Sequence, residues 1–146
     1  MRIYLDNCCF NRPYDDQETL TVRMETEAKL LIQGMIKSGM LKLGWSYVLD
    51  YENAANPFEE RRTEIQRWGG LADINVEETP EILDAMRDAV ANGLKPLDAL
   101  HLACAMVMSC EVFLTVDKGL LRKGVAFKCI RILSPIDFVM EREGGI

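Results

Sequence analysis

The chain has one histidine, His101, in 146 residues. A zinc centre built on imidazole and thiolate wants paired cysteines or added histidines, and neither is present. The five cysteines, Cys8, Cys9, Cys104, Cys110 and Cys129, are odd in number and lack paired spacing. That pattern argues against a disulfide framework and fits small buried hydrophobes. No apolar run approaches the roughly 18 residues that a membrane span needs. An acid, Asp6, comes too early for a signal peptide. The expectation is a soluble, cytoplasmic protein with no membrane partner. Basic residues are also scarce: 17 Lys and Arg stand against 23 Asp and Glu, a net charge of −6. Such a balance disfavours phosphate polymers as partners. If four acids are metal ligands, the remainder carries only −2, so the position of the bases matters more than their number.

What is present is enough apolar residue for a core, 49% of the chain, in a length that suits one domain over residues 1–146. Arg2 to Leu5 is a short apolar strand that ends at Asp6. Asn7 to Gln17, with Asn11, Pro13 and Asp15-Asp16, reads as an irregular loop. Glu18 to Lys37 reads as a helix, because Leu20, Met24, Ala28, Leu31 and Met35 form one stripe at helical spacing; Ser38-Gly39 ends it. Leu41 to Trp45 reads as a strand, with Ser46 as the N-cap of a helix over Tyr47 to Ala55. A polar helix over Phe58 to Trp68 follows and stops at Gly69-Gly70. Leu71 to Val76 is a third strand, and Thr79-Pro80 opens a helix that Gly93 closes. Pro96 suits the first position of a helix over Leu97 to Ser109, apolar almost all round and therefore buried. Val112 to Thr115 and Cys129 to Leu133 are the remaining strands, with a short helix or turn over Asp117 to Lys123 and a terminal helix from Ser134-Pro135. Strands alternating with helices predict an α/β fold, a three-layer α/β/α arrangement around a mainly parallel sheet.

Ligands of such sheets bind beyond the carboxyl ends of the strands. Asp6 follows the first strand directly and Asp117 lies just past the fourth. Glu52 is in the helix after the second strand, and Asp98 is in the first turn of the buried helix. Each has a plain alternative. Asp98 can complement a helix dipole, Asp117 can cap a turn, and Glu52 can be a solvated helix residue. Asp6 is the least easily dismissed, since a carboxylate closing an apolar strand is desolvated unless something pairs with it. Together, the four would repel and raise one another's pKa values, and a hard divalent cation removes that penalty. Oxygen-only ligation points to Mg²⁺ or Mn²⁺. His101, three residues past Asp98, either hydrogen-bonds Asp98, approaches the metal, or is a satisfied polar residue inside a packed helix.

Ile3-Tyr4-Leu5-Asp6-Asn7, Ser46 with Glu52, Leu97-Asp98-Ala99-Leu100-His101-Leu102-Ala103 and Val112-Phe113-Leu114-Thr115-Val116-Asp117 resemble, in order and spacing, the acidic motifs of PIN-domain proteins. The resemblance runs from Arg2 to about Leu133. It implies a PIN-like fold and a metal-dependent ribonuclease that cuts single-stranded RNA. Many such proteins are toxins of toxin–antitoxin pairs, so the resemblance also implies an antitoxin partner and a homodimer. Asp6, Glu52, Asp98 and Asp117 become catalytic metal ligands, activating water and offsetting charge on the scissile phosphate. Asn7, Ser46 and Thr115 become residues that orient those ligands. Arg12, Lys118, Arg122 and Lys123 become contacts to the RNA backbone, although any one of them taken alone reads first as solvated surface charge. The helix with Arg61, Arg62 and Arg67 is a substrate clamp, a dimer face or an exposed surface. Two phosphotransfer alternatives fit poorly. A haloacid dehalogenase-type phosphatase wants a second Asp two residues after the first, where Cys8 stands. A receiver domain wants a further acid at the second strand, which ends Gly44-Trp45-Ser46. A catalytically silent PIN-like RNA-binding or protein-interaction module is the other reading left open.

Overall fold

Ile3, Tyr4 and Leu5 have no solvent-exposed surface. A strand covered on both faces has no side on which to keep polar residues, and these belong to the strand at the middle of the sheet, β1 (Arg2–Leu5). In the computed structural model, which describes residues 1–143, five strands form one sheet: β1, β2 (Lys42–Ser46), β3 (Ile74–Val76), β4 (Val112–Leu114) and β5 (Arg131–Leu133). The last three residues of the expected 1–146 domain lie outside the described residues. The strand order is β3-β2-β1-β4-β5 and every pairing is parallel. Parallel neighbours require long crossovers, supplied by α1 (Asn7–Asn11), α2 (Leu20–Lys37), α3 (Tyr47–Ala54), α4 (Glu59–Leu71), α5 (Pro80–Ala91), α6 (Pro96–Val107) and α7 (Lys118–Gly124); α8 (Pro135–Glu143) follows β5. The result is the expected three-layer α/β/α fold. The chain builds outward from β1 to β2 and β3, then returns to place β4 on the other side of β1. That reversal opens a crevice beyond the carboxyl ends of β1 and β4.

Local signals explain most boundaries. The Ser46 hydroxyl accepts from Leu49 N and the Thr79 hydroxyl from Ile82 N, capping α3 and α5. Gly39 and Gly93 take positive φ after α2 and α5, where a side chain would be strained. Pro96 opens α6 as expected.

Four expectations are corrected. The segment after Asp6 is not an irregular loop: it forms α1 and then a 3₁₀ turn over Arg12–Tyr14. Asp6 caps α1, its side chain accepting from Asn7 N, and Asn11 Nδ2 donates to the Asn7 carbonyl. Gly69-Gly70 does not stop a helix, since α4 runs on to Leu71, and β3 begins only at Ile74. Gly69 serves close packing: a Cβ there would sit 3.0 Å from the Trp45 ring. Cysteine is not uniformly buried, for Cys8 is half-buried and Cys129 exposed.

The fourth correction concerns α2. Only part of its apolar stripe meets the core: Ala28 is buried and Met35 packs against the core, whereas Leu20, Met24 and Leu31 are exposed and, with Ile136, Val139 and Met140 of α8, line a groove. The buried face carries Glu25, Lys29, Ile32, Gln33 and Ile36 beside Ala28. Glu25 is paired with Arg12 at 2.7 Å. Lys29, only 6% exposed, has no carboxylate partner among the described residues, and its Nζ lies 5.9 Å from the centre of the Phe10 ring. Burial lowers the Lys29 amine to about 8 from 10.5. Between those values the unfolded chain binds more protons than the folded one, so this group makes stability rise with pH across that window. Lys29→Met removes an unpaired buried cation at similar volume. It is expected to raise the thermal midpoint at pH 7 by roughly 2–6 °C and to flatten stability between pH 8 and 10. A lower midpoint at pH 7 would contradict this account of Lys29.

Candidate metal centre

Asp6 sits where β1 ends, in the crevice made by the strand reversal. Its amide donates to the Leu114 carbonyl of β4 at 2.9 Å, which pins the carboxyl end of β1 against that of β4. Its side chain is buried and satisfied: Oδ1 accepts from Asn7 N at 2.8 Å and Oδ2 from the Thr115 hydroxyl at 2.9 Å. Thr115 Oγ1 also accepts from Asp117 N at 3.1 Å, so one buried hydroxyl links the ends of the two strands. Asp117 is exposed, and its Oδ1 accepts from Leu120 N at 3.0 Å, capping α7. The capping role and the site position therefore coexist in one residue.

Glu52 arrives on α3, the helix that the Ser46 cap starts directly after β2. Its Oε2 accepts from Asn7 Nδ2 at 3.2 Å, and its Oε1 meets His101 Nε2 in a short contact. Asp98, half-buried in the first turn of α6, completes the set. Asp6, Glu52, Asp98 and Asp117 all line one cleft of roughly 380 Å³, together with Asn7, Cys8, Asn11, Asp15 and Leu97. Burial first, then the charges of Asp6 and Asp117, hold the Asp98 carboxyl above its ordinary value, with His101 and Lys95 acting the other way. Neighbouring acids raise one another in this way, adding to the effect of burial.

His101 was the residue whose role the sequence left open. It is 1% exposed and partners Glu52 and Tyr4, not Asp98. A carboxylate can only accept, so Nε2 donates to Glu52. In the neutral ring Nδ1 is then the acceptor of a hydrogen bond donated by the Tyr4 hydroxyl at 2.6 Å, while the Tyr4 oxygen accepts from Ser46 Oγ at 2.7 Å. Burial holds the Tyr4 hydroxyl well above its ordinary pKa, so it stays protonated and can donate. His101 Nε2 lies 3.9 Å from Asp6 Oδ1. Asp6, Glu52 and His101 form a tight group whose ligand atoms lie within 4.8 Å of one another. The signal that could have found His101 is its place one helical turn after Asp98 on a buried helix, where an imidazole needs a partner.

The expected basic contacts divide. Lys118 and Arg122 are exposed on α7, directly after Asp117. Arg12 is tied up: its guanidinium donates to Glu25 Oε1 at 2.7 and 2.9 Å and to Asp15 Oδ2 at 3.0 Å. Cys8 lines the cleft with its Sγ 3.4 Å from both Asp6 Oδ2 and Thr115 Oγ1.

The PIN domain family model matches residues 3–126, a span that takes in all four acids. The chain belongs to the PIN domain family. Solved structures share the PIN fold at low identity. FitAcB from Neisseria gonorrhoeae is 12% identical with a TM-score of 0.58, the match covering 91% of this chain and 97% of that one. VapBC from Salmonella typhimurium, solved bound to DNA, is 14% identical with a TM-score of 0.55, over 92% and 98% of the two chains. PAE2754 from Pyrobaculum aerophilum is 17% identical with a TM-score of 0.55, over 100% and 97%. No curated protein matches the chain in sequence. Among the described residues, no helix is long and apolar enough to cross a membrane.

The donor set of this PIN domain suits a hard divalent cation: carboxylate oxygens dominate, their charge is uncompensated, and the one nearby imidazole is already spent on Glu52. The raised Asp98 carboxyl has a consequence for stability without metal. Below the unfolded-state value both states are protonated and the penalty is absent; as pH rises through the folded-state value, Asp98 ionises beside Asp6 and Asp117 and stability is lost. Asp98→Asn is therefore expected to raise the thermal midpoint at pH 7 in chelator by about 1–4 °C, while removing any stabilisation by Mn²⁺. A destabilised variant that still gains stability from Mn²⁺ would contradict the placement of Asp98 in the cluster.

Proposed function

We propose that this PIN domain, read as one domain over the chain, is an endoribonuclease that cuts single-stranded RNA with Mg²⁺ or Mn²⁺. The observation that carries the reading is the meeting of Asp6, Glu52, Asp98 and Asp117 in one cleft at the carboxyl edge of the sheet. Asp6, Asp98 and Asp117 would hold the metal, with Glu52 completing the set. The bound ion supplies Lewis-acid polarisation and offsets charge developing on the phosphate. The chain's own residues do the positioning. Thr115 and Asn7 N fix the Asp6 carboxylate, and His101 and Asn7 Nδ2 each hold one oxygen of Glu52. Preset acceptors need no reorganisation when substrate arrives. Lys118 and Arg122, exposed beside Asp117, face the backbone of a strand entering the cleft.

The partner we propose is a protein antitoxin. VapBC of Salmonella typhimurium shares the fold and was solved on DNA, and many PIN-domain proteins are toxins of toxin–antitoxin pairs. A homodimer and a cytoplasmic setting belong to the same reading.

The test is cleavage of a labelled single-stranded RNA in Mg²⁺ or Mn²⁺. Cleavage is expected to vanish with chelator and to fall at least roughly a hundredfold in Asp6→Asn and Asp98→Asn. Full activity in chelator or in Asp98→Asn would sink the proposed site. Absence of cleavage in the wild-type protein with metal bound would instead favour a silent binding module.

A further inference from the structure

Three aromatic side chains stand in solvent next to, or bonded to, residues that line the cleft: Tyr14 beside Asp15, Tyr51 beside Glu52, and Phe58 through Asn56 to Asn11. Two of them share a partner. The Arg61 guanidinium stacks 3.9 Å from the centre of the Phe58 ring and 5.0 Å from that of Tyr14, and the rings remain 52% and 37% exposed. Among the described residues Arg61 has no carboxylate partner, unlike Arg12, which is committed to Glu25 and Asp15. The cluster is bonded to the cleft wall. Tyr14 directly precedes Asp15, which lines the cleft. Asn56 Nδ2 donates to Asn11 Oδ1, also in the lining, and Asn56 Oδ1 accepts from Phe58 N.

Two exposed aromatic rings on a half-buried guanidinium, bonded to the wall of the acidic cleft, make a surface for stacking a base. The charges around it select the base over the backbone. Glu64 and Glu60 lie close enough to push the Tyr14 hydroxyl up, after burial and against Arg61. Arg61 sits among these acids, and Glu64 is paired with Arg67 at 3.1 Å, so the charge at the rings is mixed and an uncharged base face suits it. We infer that Tyr14, Arg61 and Phe58 form a seat for one unpaired base of the single-stranded RNA, next to the position where the strand is cut. The seat explains how a chain of net charge −6 holds RNA: stacking replaces part of the phosphate contact, and Arg12 is not needed for it. This inference rests on the ribonuclease reading above.

The experiment measures binding of a fluorescent single-stranded oligoribonucleotide, in chelator so that nothing is cut, to the wild type, Tyr14→Leu, Phe58→Leu and the double variant. Leucine keeps the apolar cover and removes the ring, and thermal midpoints confirm folding. Each single change is expected to weaken binding roughly 5- to 100-fold. An oligonucleotide with an abasic site scanned along it should bind the wild type less well at one position, and the double variant should lose that discrimination. In cleavage, KM should rise while kcat stays near wild type, because the four acids are intact. A wild type that binds the oligonucleotide as well as both variants do overturns the seat and leaves the nuclease reading standing. A wild type that binds no single-stranded RNA overturns both.

Discussion

Like charges must be held together before a cation can use them, and in this PIN domain the Thr115 hydroxyl does much of the holding. It donates to Asp6 and accepts from the Asp117 amide, joining the carboxyl ends of β1 and β4 at the point where the strand order reverses. The geometry follows from the sheet. A strand buried on both faces delivers its last residue into the crevice with no freedom to turn outward. The apolar run of β1 is thus the reason that Asp6 lines the cleft at all. Asp98 reaches the same crevice because Pro96 starts α6 there, and its carboxyl bears the repulsion that results.

A second buried thread runs from Ser46 through Tyr4 to His101 and ends on Glu52. Buried polar groups cost stability unless every member finds a partner, and here each does. The chain of donors leaves His101 one direction in which to give its proton, toward Glu52. The core and the site are therefore one network: Ser46 starts α3, which carries Glu52, and also anchors the hydroxyl that orients the imidazole behind it. Asn7 holds the other oxygen of Glu52 from the opposite side.

Much of this was legible in the sequence. Alternating elements gave the parallel three-layer fold, and the positions of Asp6, Glu52, Asp98 and Asp117 relative to strand ends predicted one rim, which is where the four line a single cleft. Most of the misreadings share a physical cause, interactions between residues far apart in the chain. The stripe of α2 has helical period but in part faces a groove beside α8, while Glu25 is buried because Arg12 pairs with it. Gly69 looked like a stop and is a contact with Trp45. Helix α1, five residues long, has no periodicity to read and depends on the Asp6 cap. Tyr4 gives no local hint that its hydroxyl reaches a histidine 97 residues away.

The central claim is that the four carboxylates form one metal centre. A crystal structure grown or soaked at several millimolar Mn²⁺, with anomalous scattering recorded, tests it most directly. The account predicts an anomalous peak in the cleft, roughly 2.0–2.4 Å from oxygens of Asp6 and Asp98, with Asp117 and Glu52 ligating directly or through water. A cleft without Mn²⁺, or Mn²⁺ held elsewhere while Asp98 turns to solvent, would contradict it.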